Sequence, residues 1–364
     1  MTESVKVLYY TDPAAFQLFG GAEIQMLKTK EYLMEMNDNV LVKLFDVFSD
    51  KLDEYDILHV FNMRVDCLPI FKLAKTKKLK VVLSPIYWSE LGSARARVLG
   101  TRKSIIETIS EARIFFSNLL TYNYPTVKTL YPFKDFLEVA DIILPNSHIE
   151  ASVLSSEFKI AANKFLVVPN AVEKEVPSAK PDVFMDKYGL RDFILFVGRI
   201  EPRKNVLRLL EACKDMGAPL VIIGQSNPWE HEYYAKCKEV AKHNRNVHFL
   251  GFMPPHSKEL FSAYAAAKVF VLPSLFETPG LVALEAGIMG CNLVVTEGGS
   301  TTEYFKNHAL YVNPLSTEDI KEKILEAYYK PKNNKLKEHI LENYTWDKAA
   351  EKTLQAYNLV LNRE

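Results

Sequence analysis

Two glutamates stand eight positions apart in the stretch FETPGLVALEAGIMG, residues 276–290. They are Glu277 and Glu285, and between them Thr278, Pro279 and Gly280 lead into an apolar run. Thr278 is a good N-cap, and Pro279 suits the first helical position, where a missing N–H costs nothing. The sequence therefore predicts a helix beginning at Pro279. The amides of Gly280 and Leu281 would then point out of the positive end of the helix. Gly280 has no side chain to hold a ligand away, so this end is a ready anion site. Leu281, Glu285, Ile288 and Asn292 fall on one stripe. Glu285 would stand about 9 Å along the axis from the helix start, the reach from a diphosphate to a ribose. The competing reading is a helix whose Glu285 simply points to solvent.

A second cluster lies in FVGRIEPRKN. Gly198 permits a tight exit from a strand, Arg199 and Lys204 sit in the loop beyond it, and Asn205 opens the next helix. An arginine fork and a mobile lysine suit a diphosphate. Arg203 is a third cation, expected to face water, and taken alone the motif is as compatible with a solvated basic loop. A third cluster, LFGGAEIQML, places Gly20 and Gly21 before an amphipathic helix. It is not G-x-G-x-x-G, and no P-loop signature occurs. No D-x-D and no histidine pair with ligand spacing appears in the sequence. A metal is thus not expected, and the charge of a leaving diphosphate would fall on protein cations and helix N-termini.

These residues need strands behind them. VKVLYYT, DILHVF, KVVLSPI and ADIILPNS read as buried strands in the first half of the chain. FILFVGRI, PLVIIG, VHFLGF, KVFVLPS and NLVVTEG do so in the second. Most of the stretches between them are long enough for helices, the rhythm of parallel sheets covered on both faces. The fold class expected is α/β, with two doubly wound domains facing a cleft and ligands at the carboxyl ends of the strands. A polar, proline-containing stretch near residues 173–185 reads as the linker.

The whole chain sets bounds. Its 364 residues suit two domains, and 45 Lys plus Arg balance 45 Asp plus Glu, so no basic field points to nucleic acid. The cysteines Cys67, Cys213, Cys237 and Cys291 are scattered, which argues for a reducing compartment without a zinc site or disulfide framework. The start MTESVKVLYYTD shows no signal peptide, and no apolar run approaches the ~20 residues of a membrane span. A soluble cytoplasmic protein is expected.

In combination, GGAE, ADIILPNS, VVPNAV, FVGRIEPRKN, FETPGLVALEA and VVTEGGSTTEYF resemble, in order and spacing, the family-4 retaining glycosyltransferases of GT-B fold. The resemblance spans essentially the whole chain. It implies two Rossmann-like domains, an acceptor-side domain over residues 1–175 and a nucleotide-sugar domain over 176–345. A terminal helix at about 346–364 would pack back on the first. The family's glutamate pair maps onto Glu277, near the transferred sugar, and Glu285, on the donor ribose. Its phosphate-binding cations map onto Arg199 and Lys204, and its glycine loop onto Gly20 and Gly21. Gly198, Gly280 and Leu281 complete the donor side. No cofactor is expected, since the nucleotide sugar, UDP- or GDP-linked, is a substrate. The acceptor expected is a growing saccharide or lipid-linked saccharide, as in surface polysaccharide or lipopolysaccharide assembly.

Departures from the pattern stand beside it. Many members carry an active-site histidine after the strand that here reads KVVLSPIYWSE, where this chain has Ser84, Pro85, Ile86 and Tyr87. Tyr87 is one acceptor-side candidate, although a phenol near pKa 10 cannot copy a histidine's proton chemistry. His59, taken to end a strand, is the other, although a lone histidine is more often structural. The segment RARVLGTRKSIIETISEARIFFSNLL mixes Arg95, Arg97, Arg102 and Lys103 with apolar residues. It reads either as a core-facing helix with a solvated basic side or as a peripheral contact with the inner face of a membrane. Two rival functions remain: a GT-B epimerase or hydrolase acting without an acceptor, and a non-catalytic nucleotide-sugar-binding subunit.

Overall fold

The computed structural model describes residues 4–12, 14–17, 20–87, 131–175, 179–226, 228–242 and 244–362. The basic amphipathic segment with Arg95, Arg97 and Arg102 lies outside these residues. The chain forms two compact units, Met1–Asn170 with Trp346–Glu364, and Ala171–Thr345.

The first unit carries β1 (Val5–Tyr10), β2 (Val40–Leu44), β3 (Ile57–Phe61), β4 (Lys80–Ser84) and β5 (Ile142–Ile143), with all pairings parallel and the order β2-β1-β3-β4-β5. Its helices are α1 (Gly21–Met36), α2 (Leu68–Thr76), α3 (Tyr131–Val139) and α4 (His148–Phe158). The terminal helix, numbered α13 below (Trp346–Leu361), belongs to this unit and packs along α1. Its buried face alternates bulk with small residues: Trp346 and Tyr357 fill the space, while Ala349, Ala350 and Ala356 let the backbones approach.

The second unit carries β6 (Ile194–Val197), β7 (Leu220–Ile223), β8 (Val247–Gly251), β9 (Val269–Leu272), β10 (Asn292–Thr296) and β11 (Leu310–Val312) in the parallel order β11-β10-β9-β6-β7-β8. Between and after them run α5 (Asp182–Tyr188), α6 (Val206–Ala212), α7 (His231–Ala241), α8 (Lys258–Ala266), α9 (Leu281–Ile288), α10 (Thr301–Phe305), α11 (Thr317–Tyr329) and α12 (Lys335–Asn343). The strand order reverses between β6 and β9, the topological switch point at which open α/β sheets bind ligands.

The doubly wound α/β expectation is met, and all nine anticipated runs are strands. Two strands escaped the reading. β2 is an edge strand of alternating burial, and β11 is a three-residue edge. Neither presents the continuous apolar run that marks a central strand. The expected linker over 173–185 is also corrected. From Asp182 onward the chain is helical, because Phe184 is buried against Phe193 and its amide donates to Ser262 Oγ at 2.8 Å.

Candidate functional site

The switch point of the second unit is built by backbone stitching. A Cβ on Gly224, where φ is +147°, would come within 1.9 Å of the Gly198 carbonyl oxygen, so the chain ends of β6 and β7 touch main chain to main chain. The amides of Gly198 and Ile200 donate to Ile223 and Gln225 at 3.0 and 2.9 Å. The loop beyond β6 then runs through a tight turn, Pro202–Lys204, to Asn205, whose left-handed backbone starts α6. Asn205 Nδ2 donates to the carbonyls of Pro273 and Pro314 at 3.0 and 2.7 Å, and the amide of Leu275 donates to Arg203 O at 2.8 Å. The loops after β6 and β9 are thereby locked side by side.

That lock brings Lys204 onto Glu277. The ammonium lies 2.6 Å from Glu277 Oε1, and Arg203 Nη1 lies 3.5 Å from the same oxygen. Arg203 also pairs with Glu201 at 3.0 Å, donates to Phe276 O and covers the Phe276 ring. Arg203, expected to face water, is instead drawn in by the Leu275 backbone bond. Burial alone would push the Glu277 carboxyl up, but the two cations outweigh it and hold it below the usual carboxylate range. Burial likewise lowers the Lys204 ammonium, against the pull of Glu277. Arg199, five residues away, is exposed and has no hydrogen-bond or ion-pair partner among the described residues.

Glu277 is also fixed through its main chain. Its amide donates to Gly298 O at 3.0 Å and its carbonyl accepts from Ser300 at 2.8 Å. Gly299, at φ +103°, approaches so closely that a Cβ there would sit 1.9 Å from Glu277 O.

The helix start is corrected. α9 begins at Leu281, and Gly280 is its N-cap at φ +88°, a conformation that takes Pro279 off the helical path. The Thr278–Pro279 bond is cis. A side chain at Gly280 would strike Leu272 at 2.9 Å and approach Glu277 Oε2 at 3.3 Å, so glycine brings bare backbone up to the carboxylate. The amides of Ala283 and Leu284 turn back to Gly280 O, which leaves those of Leu281 and Val282 as the outward pair. The helix stops at Ile288. Asn292 is therefore not on its stripe but in β10, where its side chain donates to Ala327 and Lys330.

With this start, Glu285 stands four residues into the helix, about 6 Å along the axis. It does not point to solvent. It is 7% exposed and accepts a 2.9 Å hydrogen bond from Tyr264 on its Oε2. Burial pushes its carboxyl up to about 7, and the Tyr264 bond pulls the other way. The rest of α9 is apolar and packs closely, with Leu336 and Ile340 of α12 against Gly287.

The first unit treats its candidates differently. Gly20 caps α1, and its amide donates to Glu23 Oε2 at 2.7 Å, so a carboxylate of the chain already stands at that helix start; Gly21 is the first helical residue. His59 is corrected from a strand end to the centre of β3, 1% exposed. Its Nδ1 lies 2.8 Å from Tyr357 Oη and its Nε2 2.9 Å from Ser84 Oγ, while Tyr357 donates to Tyr9 at 2.9 Å. Burial drives the imidazole down to about 3, so it is neutral and holds α13 to the sheet rather than meeting an acceptor. Tyr87 is held by its own unit. Its ring packs on Phe133 and Phe158, its amide donates to Glu150 at 2.6 Å and its hydroxyl to Glu157 at 2.8 Å.

Residues 184–344, nearly all of the second unit, match the family model of glycosyl transferases group 1. The second unit resembles a group 1 glycosyl transferase domain. The O-antigen chain mannosyltransferase B of Escherichia coli is 26% identical over 239 residues, which cover 62% of this chain and 62% of that relative, less than two thirds of its length. Sucrose-phosphate synthase from Thermosynechococcus elongatus superposes with a TM-score of 0.76 at 17% identity, over 98% of this chain and 99% of that one. Anabaena HepE, solved in complex with UDP and glucose, superposes with a TM-score of 0.67 at 14% identity, over 98% and 100% of the two chains. The fold is GT-B.

Three residues of this unit were not singled out in the sequence: Gly224, Tyr264 and Gly299. Gly299 stands in a motif that carried the family resemblance, and a Gly-Gly pair after a strand is a signal for close backbone approach. Tyr264 gave none, since its partner Glu285 is 21 residues away on another helix.

Proposed function

We propose that the chain is a retaining, metal-independent hexosyltransferase. It takes a UDP- or GDP-linked sugar as donor and a saccharide or lipid-linked saccharide as acceptor, in surface polysaccharide or lipopolysaccharide synthesis. One observation carries this reading: within the second unit, two buried carboxylates, Glu277 and Glu285, flank the glycine-opened start of α9. The mannosyltransferase named among its relatives and the UDP and glucose of the HepE complex support it.

In this reading the diphosphate lies on the outward amides of α9 and on Arg199, a cation with no partner to give up among the described residues. Lys204 joins as it shares its charge between Glu277 and the phosphate. As the bond from sugar to phosphate breaks, negative charge grows where these donors already point, and no reorganisation is required at that moment. Glu277, ionised beside its two cations, is suited to stabilise positive charge developing on the sugar and unsuited to donate a proton. Glu285 accepts from the ribose hydroxyls.

The test is a thermal-shift screen of UDP, GDP and their sugars, followed by transfer to a saccharide acceptor with and without EDTA. A ligand at about 100 times its Kd stabilises by ~2.7 kcal/mol. Activity should persist in EDTA, and a strict Mg²⁺ or Mn²⁺ requirement for the chemical step would sink the proposed handling of the leaving group. Free sugar formed without acceptor would favour a hydrolase instead.

A further inference from the structure

We propose that Tyr264 is a positioning residue of the donor site: its hydroxyl holds one carboxylate oxygen of Glu285 and leaves the other for the vicinal hydroxyls of the ribose. This rests on the donor-site reading above, and adds a residue that does not touch the ligand.

The geometry is specific. Tyr264 is fully buried in α8, its ring packed against Phe261 and Phe270, and its hydroxyl donates to Glu285 Oε2 at 2.9 Å. Glu285 Oε1 has no hydrogen-bond partner among the described residues. That oxygen is not among the sealed, unsatisfied polar atoms, so it is an acceptor open to an incoming donor. A pair of ribose hydroxyls, each a donor, fits it. With no side chain exposed, Tyr264 can act only through Glu285.

The same geometry couples binding to a proton. The surroundings of Glu285 carry little charge to oppose its burial. From α8 comes Tyr264, and behind it Cys291, just before β10, whose Sγ donates to Tyr264 O at 3.0 Å. From β9 come only apolar residues. The Tyr264 phenol is held well above its usual range by burial and by Glu285, so it remains a donor throughout. The empty site therefore holds Glu285 partly protonated near neutral pH. Hydroxyl donors favour the ionised form, so binding releases the proton to solvent. Affinity should then fall as pH drops below about 7, by up to about tenfold per unit.

The experiment is calorimetry of UDP-glucose and GDP-mannose, whose diphosphate diesters do not titrate near neutrality, from about pH 6 to about pH 8.5. Three proteins are compared: wild type, Tyr264→Phe and Glu285→Gln. The wild type should lose affinity as pH falls through about 7. Tyr264→Phe removes the bond that restrains the carboxyl, so the loss should begin at higher pH, with affinity roughly 3- to 10-fold weaker at pH near 7.5. Glu285→Gln should bind weakly at every pH with a flat profile. If Tyr264→Phe matches the wild type in affinity and pH profile, or if the wild-type profile is flat, this inference is overturned while the donor site stands. If the wild type binds neither sugar nucleotide at any pH, the donor-site reading falls and takes this inference with it. Should Tyr264→Phe fail to fold, the wild-type profile and its loss in Glu285→Gln still decide.

Discussion

His59 in the first unit and Glu285 in the second are both ionisable groups buried in parallel α/β architecture, and their surroundings differ in one respect. Both nitrogens of His59 are engaged, by Tyr357 and Ser84, and the chain of bonds runs on to Tyr9. Glu285 has one engaged oxygen. A polar group whose capacity is spent inside the fold is architecture: it pins α13 to the sheet and has nothing left to offer. A polar group with capacity in reserve is a receptor. The same contrast separates Arg203, spent on Glu201, Glu277 and Phe276, from Arg199, which is exposed and unspent.

The comparison is broken most severely at the cations. Arg199→Ala and Lys204→Ala should each lower turnover by about 10²- to 10³-fold, the cost of removing one donor to a developing oxyanion. They should differ in stability. Arg199→Ala should melt as the wild type does, whereas Lys204→Ala strands the buried Glu277 carboxylate with Arg203 alone and should lose a few kcal/mol. Steady-state kinetics with thermal melts check both. Native turnover in either variant would remove that residue from the diphosphate site.

The two glutamates are next in size. Glu285→Gln should weaken nucleoside diphosphate binding by roughly 10- to 150-fold, the worth of a hydrogen bond to a charged group at ~1.5–3 kcal/mol. Glu277→Gln should leave that affinity nearly unchanged and lose turnover instead. Calorimetry paired with transfer rates separates them, and equal losses of nucleotide affinity would end the division of roles.

The smallest effect should fall on His59. His59→Phe leaves Ser84 and Tyr357 short of a partner, so stability should drop by ~1–3 kcal/mol while nucleotide affinity is untouched. The pH dependence has a definite sign. The folded state holds His59 neutral down to about 3, whereas the unfolded chain protonates it near its ordinary value of 6.5. The contribution is thus complete above about pH 6.5 and is lost as pH falls toward 3, a loss that His59→Phe should not show. Chemical denaturation across that range tests it. A variant with wild-type stability, or one that loses donor binding, would reverse the assignment.

Much of this was legible in the chain. Strands of a parallel sheet announce themselves as unbroken apolar runs because both faces are covered, so nine of the eleven strands among the described residues could be read directly, the edges β5 and β8 among them. β2 and β11 could not: β2 alternates buried and exposed positions, and β11 is three residues long with only Val312 buried. Strand-end glycines and cations could be placed on the correct loops, because loops follow strands in order. The start of α9 was misread by two residues. Thr278-Pro279 is a good helix opening by local rules, and the close approach of Gly280 to Leu272 and Glu277, not visible locally, moved it.

The sequence by itself determined which residues could do chemistry and that two parallel sheets would carry them, because composition and periodicity act over a few residues at a time. Only the tertiary structure decided how the capacity of each was divided. Lys204 meets Glu277 across 73 positions, Asn205 reaches Pro314 across 109, and His59 meets Tyr357 across 298. Whether a buried polar group is spent or held in reserve depends on partners that distant, and the folded backbone alone brings them within hydrogen-bond range.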